Sequence, residues 1–94
     1  MGNANLVIYY SGNDQNNFRF AISIGKKYGS AVERNLCKRR IRMIISTNQS
    51  KINQRSDFVI VVKPKTNSLT FNQINEQIIT LLLKAKIIEK IEDL

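Results

Sequence analysis

Apolar residues fall into a few well-separated clusters along this chain. Leu6-Val7-Ile8-Tyr9-Tyr10 is rich in β-branched and aromatic residues, and a polar stretch from Ser11 to Asn17 follows it. From Phe18 to Ile24 the residues Phe18, Phe20, Ile22 and Ile24 alternate with Arg19, Ala21 and Ser23. That period of two predicts a strand with one buried face. The first two strands are expected to pair as a hairpin with a long loop. Asp57–Lys63 predicts a third strand, and the unbroken run Phe58–Val62 suits a central position. Pro64 ends it, because proline has no N–H to give to a ladder.

Two stretches change to helical spacing. Ser30-Ala31-Val32-Glu33 has the capping-box pattern, so a helix is expected from there to about Ser46 or Asn48. Thr70-Phe71-Asn72-Gln73 repeats the pattern, with Leu69 and Ile74 as a hydrophobic staple. Phe71, Ile74, Ile78, Leu81, Leu82, Ala85 and Ile88 then form one apolar stripe. The order is β-β-α-β-α, a single-domain α+β sandwich over residues 1–94 with helices against a small sheet.

Composition narrows the chemistry. Cys37 is the one cysteine and histidine is absent, so a disulfide scaffold, a His-containing triad and a Cys/His zinc site are excluded within the chain. The longest apolar runs, Leu6–Tyr10 and Phe58–Val62, are far below the ~20 residues of a membrane helix. Met1 to Asn5 lacks a basic n-region leading into an apolar stretch. These features lead us to expect a cytoplasmic protein with no membrane association, and no protein partner is evident from the sequence.

The formal net charge is +8, and it is unevenly placed. Arg19–Lys65 carries +10 and the remainder −2. Lys26 to Arg42 alone holds seven cations and one carboxylate, Glu33. Such clustering marks a polyanion binder, since each cation set against a phosphate releases condensed counterions. At ~100° per residue, Arg34, Lys38 and Arg42 form an i, i+4, i+8 row, with Asn35 and Arg39 beside it. Val32, Leu36, Cys37, Ile41, Met43 and Ile44 are expected to face the core from the other side. The row is ~12 Å long, enough to follow three or four nucleotides. Lys26, Lys27 and Lys63 have no apolar role and are further candidates for RNA or phosphate contact.

The stretch from Ser23 to Arg42 resembles the RNR-motif region of bacterial ribonuclease P protein. That family reads K-K-x-G-x-A-V-x-R-N-x-x-K-R-x-x-R, and Lys26, Lys27, Gly29, Ala31, Val32, Arg34, Asn35, Lys38, Arg39 and Arg42 fill every specified position. The flanking strands and Leu69-Thr70-Phe71 also fit, so the likeness spans about residues 5 to 88. It implies an α/β sandwich with a left-handed β-α-β crossover. It also implies a protein subunit that binds ribonuclease P RNA and the 5′ leader of precursor tRNA, while the RNA with bound Mg²⁺ performs the cleavage. No catalytic residue is expected in the chain itself, and no metal ligand. By the same likeness, Tyr9, Arg34 and Lys38 are expected to meet the leader. A non-enzymatic RNA-binding module of similar fold is the alternative reading.

The chain departs from that pattern in two places. Leu36 stands where the motif normally has its second arginine. Arg40, one turn on and ~40° away, is expected to replace it in part. Family members also begin with a basic, aromatic-bearing helix that forms one wall of the leader cleft. This chain opens almost at the first strand, so Tyr9 and the exposed sheet face are expected to be what remains of that site. Phe18 and Phe20 are assigned to core packing and Cys37 to a helix face. Gly29 is assigned to the turn from strand to helix.

Overall fold

The computed structural model describes residues 1–88. Three strands, β1 (Leu6–Gly12), β2 (Arg19–Ile24) and β3 (Ser56–Val62), form one sheet in the order β1-β3-β2. Two helices, α1 (Ala31–Thr47) and α2 (Phe71–Lys84), follow β2 and β3 respectively. Short 3₁₀ turns at Lys26–Tyr28 and Pro64–Ser68 lead into them.

β3 is central, as its sequence predicts, but β1 and β2 do not form a hairpin. β3 lies between them, antiparallel to β1 and parallel to β2. Two properties account for the difference. β3 is apolar on both faces, with Phe58, Ile60 and Val62 buried and Val59 and Val61 opposite, so it gains from a neighbour on each edge. The polar loop after β1 is also long enough to cross two strand spacings of ~4.8 Å each. That loop is tied to the end of β3. The Asn13 N–H donates to the Arg55 carbonyl at 2.8 Å, and Asn13 Nδ2 donates to Asp57 at 2.7 Å.

One face of the sheet carries the core. Leu6 and Ile8 of β1 join Phe58, Ile60 and Val62 of β3, with Phe20, Ile22 and Ile24 of β2 packed against them. Cys37, Ile41, Ile44 and Ile45 of α1 and Ile74, Ile78, Leu81 and Leu82 of α2 close the same cluster. The Phe18, Phe20 and Phe58 rings stack at the β2–β3 end with centroids 5.7–6.2 Å apart. Their assignment to packing therefore agrees with the structure. The opposite sheet face presents Tyr9, Val59 and Ala21 in register across the three strands, and Tyr9 is 64% exposed.

Both capping boxes form. Ser30 Oγ accepts from the Glu33 N–H at 3.2 Å and Glu33 accepts from the Ser30 N–H at 3.0 Å. Thr70 and Gln73 exchange the equivalent bonds at 3.2 and 2.9 Å. The apolar stripe of α2 is buried as expected, with Phe71 only partly so, but the helix stops at Lys84 instead of running to Ile88. Lys86 adopts φ 60°, the Ile87 N–H donates to the Leu82 carbonyl and the Lys86 N–H to that of Leu83. This is a Schellman C-terminus. It turns Ile87 and Ile88 inward, where Ile88 bridges to Ile52.

Candidate nucleic-acid interface

The candidate interface comprises α1 and the two turns at its N-terminal end. Tyr28 is buried and anchors the Lys26–Tyr28 turn, leaving Lys26 and Lys27 exposed. Asn67 joins this turn to the Pro64–Ser68 turn, its Nδ2 donating to the Tyr28 carbonyl at 2.6 Å and to Glu33 at 3.1 Å. Lys26 and Lys27 are thereby brought to the same end of the molecule as Lys63 and Lys65. Lys63 Nζ also reaches the Asn3 carbonyl at 3.4 Å. Lys65, absent from the expected set, is exposed in the same turn. Its position directly after Pro64 is the signal that places it there.

Along α1, Asn35, Arg39 and Arg42 are exposed, while Arg34, Lys38 and Arg40 are half-buried. Taking ~100° per residue, the buried residues Ile44, Cys37, Ile41 and Ile45 occupy an arc of roughly 100°. Arg34 falls within the edge of that arc, and its Nε is buried with no hydrogen-bond partner among the described residues. Burial of that stem fixes the direction in which the guanidinium leaves the helix. Lys38 and Arg42 continue the row outward. Arg40 lies across the buried arc from them, close enough that its charge acts on Tyr28 and Cys37.

Half of the expected inner face of α1 does not pack. Cys37, Ile41 and Ile44 are buried, but Val32, Leu36 and Met43 are 78, 43 and 60% exposed. The helix has two apolar arcs separated by Arg40, and a three-stranded sheet with one neighbouring helix covers only the first.

The electrostatics favour an anionic partner. The one ion pair among the described residues is Arg19–Asp57, with Nη2 to Oδ2 at 2.5 Å and Nε to Oδ1 at 3.0 Å. No cation of α1 belongs to it, so those charges remain for a ligand. Arg19, followed by Asn13, holds the Asp57 carboxyl below the usual carboxylate range. The Ser30 N–H and Asn67 do the same for Glu33. Burial pushes the Cys37 thiol and the Tyr28 phenol up, so both are neutral at physiological pH. Cys37 is thus an inert packing residue. On the open sheet face, Tyr9, Ala21 and Val59 line an open groove that ends at Arg19 and Asp57. Among the described residues no three His, Cys, Asp or Glu side chains gather as a metal-ligand set.

Comparison with known proteins now places the chain. The family model described as Ribonuclease P matches residues 1–86. The ribonuclease P protein component of Acholeplasma laidlawii is 51% identical over 90 residues, which cover 96% of this chain and 78% of that protein. The Phytoplasma australiense component is 53% identical over 74 residues, covering 78% of this chain and 64% of that protein. The structure of the Staphylococcus aureus RNase P protein superposes with a TM-score of 0.87 at 31% identity, covering 95% of this chain and 82% of that one. With the motif, the fold and the family model in agreement over nearly the whole described length, the chain belongs to the ribonuclease P protein family, the protein components of the ribonuclease P endoribonuclease.

Proposed function

We propose that this chain docks on ribonuclease P RNA through the basic face of α1 and its adjoining turns, and that it helps the complex hold the 5′ leader of precursor tRNA. The observation that carries this reading is the row Arg34, Asn35, Lys38, Arg39 and Arg42, whose cations form no ion pair among the described residues. Arginine forks grip phosphate oxygens bidentately, and Asn35 supplies a neutral donor and acceptor within the row. Lys26, Lys27 and Lys63 extend the contact from the turns. Arg40 adds a further cation, partly offsetting the arginine that Leu36 replaces.

Hydrolysis in this reading is metal-dependent and belongs to the RNA, which holds Mg²⁺ with its own phosphates. The chain supplies binding and screening of charge: its cations lower the repulsion between two polyanions brought together at the cleavage point. Tyr9, open to solvent on the sheet face, offers a ring on which a leader base stacks. Arg34 and Lys38 contact the leader backbone. The reaction takes place in the cytoplasm, where both RNAs reside. No described helix is long and apolar enough to cross a membrane.

Affinity of the assembled RNA–protein complex for precursor tRNA, with and without its leader, tests this assignment. The chain is expected to tighten binding of the leader-bearing substrate about tenfold more than that of mature tRNA. Tyr9→Ala should remove most of that difference, since stacking on one base is worth ~1–3 kcal/mol. Equal tightening of both substrates would refute the leader contact. A further comparison concerns Arg40: Arg40→Ala should weaken RNA binding more than Lys84→Ala does.

A further inference from the structure

The exposed apolar residues of α1 form a line of their own. Val32, Leu36 and Met43 lie within an arc of roughly 40° on the helix surface, and Arg39 borders that arc on the side of the basic row, ~20° beyond Val32. Arg40 borders the strip on its far side. The three apolar side chains are 78, 43 and 60% exposed, whereas the second apolar arc of the same helix is fully engaged in the core. Fold stability therefore does not account for them.

We propose that this strip is part of the RNA-binding surface and packs on the face of an unpaired nucleobase, with Arg39 and Arg40 gripping the adjoining phosphates. The proposal rests on the RNA-binding reading of α1 and extends it to a contact that does not depend on charge. Continuity supports it, because the strip begins where the basic row ends, at Arg39. Charge supports it as well. Any occupant of the strip lies between two guanidiniums, so it must carry negative charge close beside a flat or apolar surface. A single-stranded nucleotide combines both features. A second copy of this chain does not, since it brings its own +8 charge and an identical cationic helix face.

The test is a salt titration of binding to a ribonuclease P RNA transcript, comparing the full chain with the double variant Leu36→Ser, Met43→Ser. Leu83→Ser, which removes an exposed apolar residue from α2, serves as the control. Circular dichroism checks that each variant keeps its helices. The double variant is expected to bind about tenfold more weakly at every salt concentration, with an unchanged slope of log affinity against log salt. Leu83→Ser should bind like the parent chain. On a fully paired RNA duplex the double variant should lose nothing, because the bases there are stacked away from the helix. Unchanged affinity of the double variant for the transcript overturns the strip contact while leaving the basic-row reading intact. A shallower salt slope also overturns it, since the loss would then be electrostatic. Unchanged affinity with loss of a dimer in sedimentation would assign the strip to a second copy. Failure of the parent chain to bind the transcript would overturn both readings.

Discussion

Gly29 joins the Lys26–Tyr28 turn to the first residue of the α1 cap, and the space around it is already filled. A Cβ there would sit 2.7 Å from Glu33 Oε1 and 3.1 Å from Asn67 Nδ2. Those atoms hold the capping box and the link between the two basic turns. Gly29→Ala is therefore expected to destabilise the fold by about 1 kcal/mol, the usual worth of a lost cap, read from urea unfolding. Glu33 and Asp57 also set the acid response. Both carboxyls are held below their ordinary values, Glu33 by the Ser30 N–H and Asp57 by Arg19. Their contribution is complete above the unfolded-state values and is lost as pH falls through the lowered folded ones. The urea midpoint should hold steady down to about pH 5 and decline below it, and Asp57→Asn should lessen that decline.

Lys86 shows how the ends of elements are set by local stereochemistry. It occupies the left-handed position of the α2 Schellman turn at φ 60°, where a side chain costs roughly 1–2 kcal/mol. Lys86→Gly should raise stability by about 1 kcal/mol, measured by the same unfolding assay. This turn was not legible beforehand, since apolar spacing continues unbroken to Ile88 and no glycine marks the stop. The three strands and both capped helices were legible, because period and cap chemistry are local properties. Pairing of the strands was not. The unbroken apolar run of β3 marks it as central, but a hairpin between β1 and β2 is the local solution, and only the assembled sheet shows that β3 lies between them. The basic row was readable from spacing alone. The direction of Val32, Leu36 and Met43 was not, because a helix with two apolar arcs does not disclose which one its neighbours will cover.

Taken as a whole, the molecule separates its core from its cations by face. The inner sheet face and the buried arc of α1 make the core, while the cations occupy what α1 and its two turns leave outside. This arrangement predicts a strong salt dependence. With about five phosphates neutralised, log affinity for single-stranded regions should fall with log salt at a slope of roughly −3.5, and on duplex near −4.5. Lys38→Ala and Arg42→Ala should each make that slope shallower by about one unit or slightly less, with fold stability little changed. The central claim is that this cationic face serves ribonuclease P. Reconstitution tests it most directly: the chain is added to a bacterial ribonuclease P RNA at low Mg²⁺, and 5′ leader release from precursor tRNA is timed. Stimulation of cleavage by the parent chain, reduced in the Arg34→Ala, Lys38→Ala double variant, is the predicted result. Tight binding of the parent chain to that RNA without any stimulation would contradict the account.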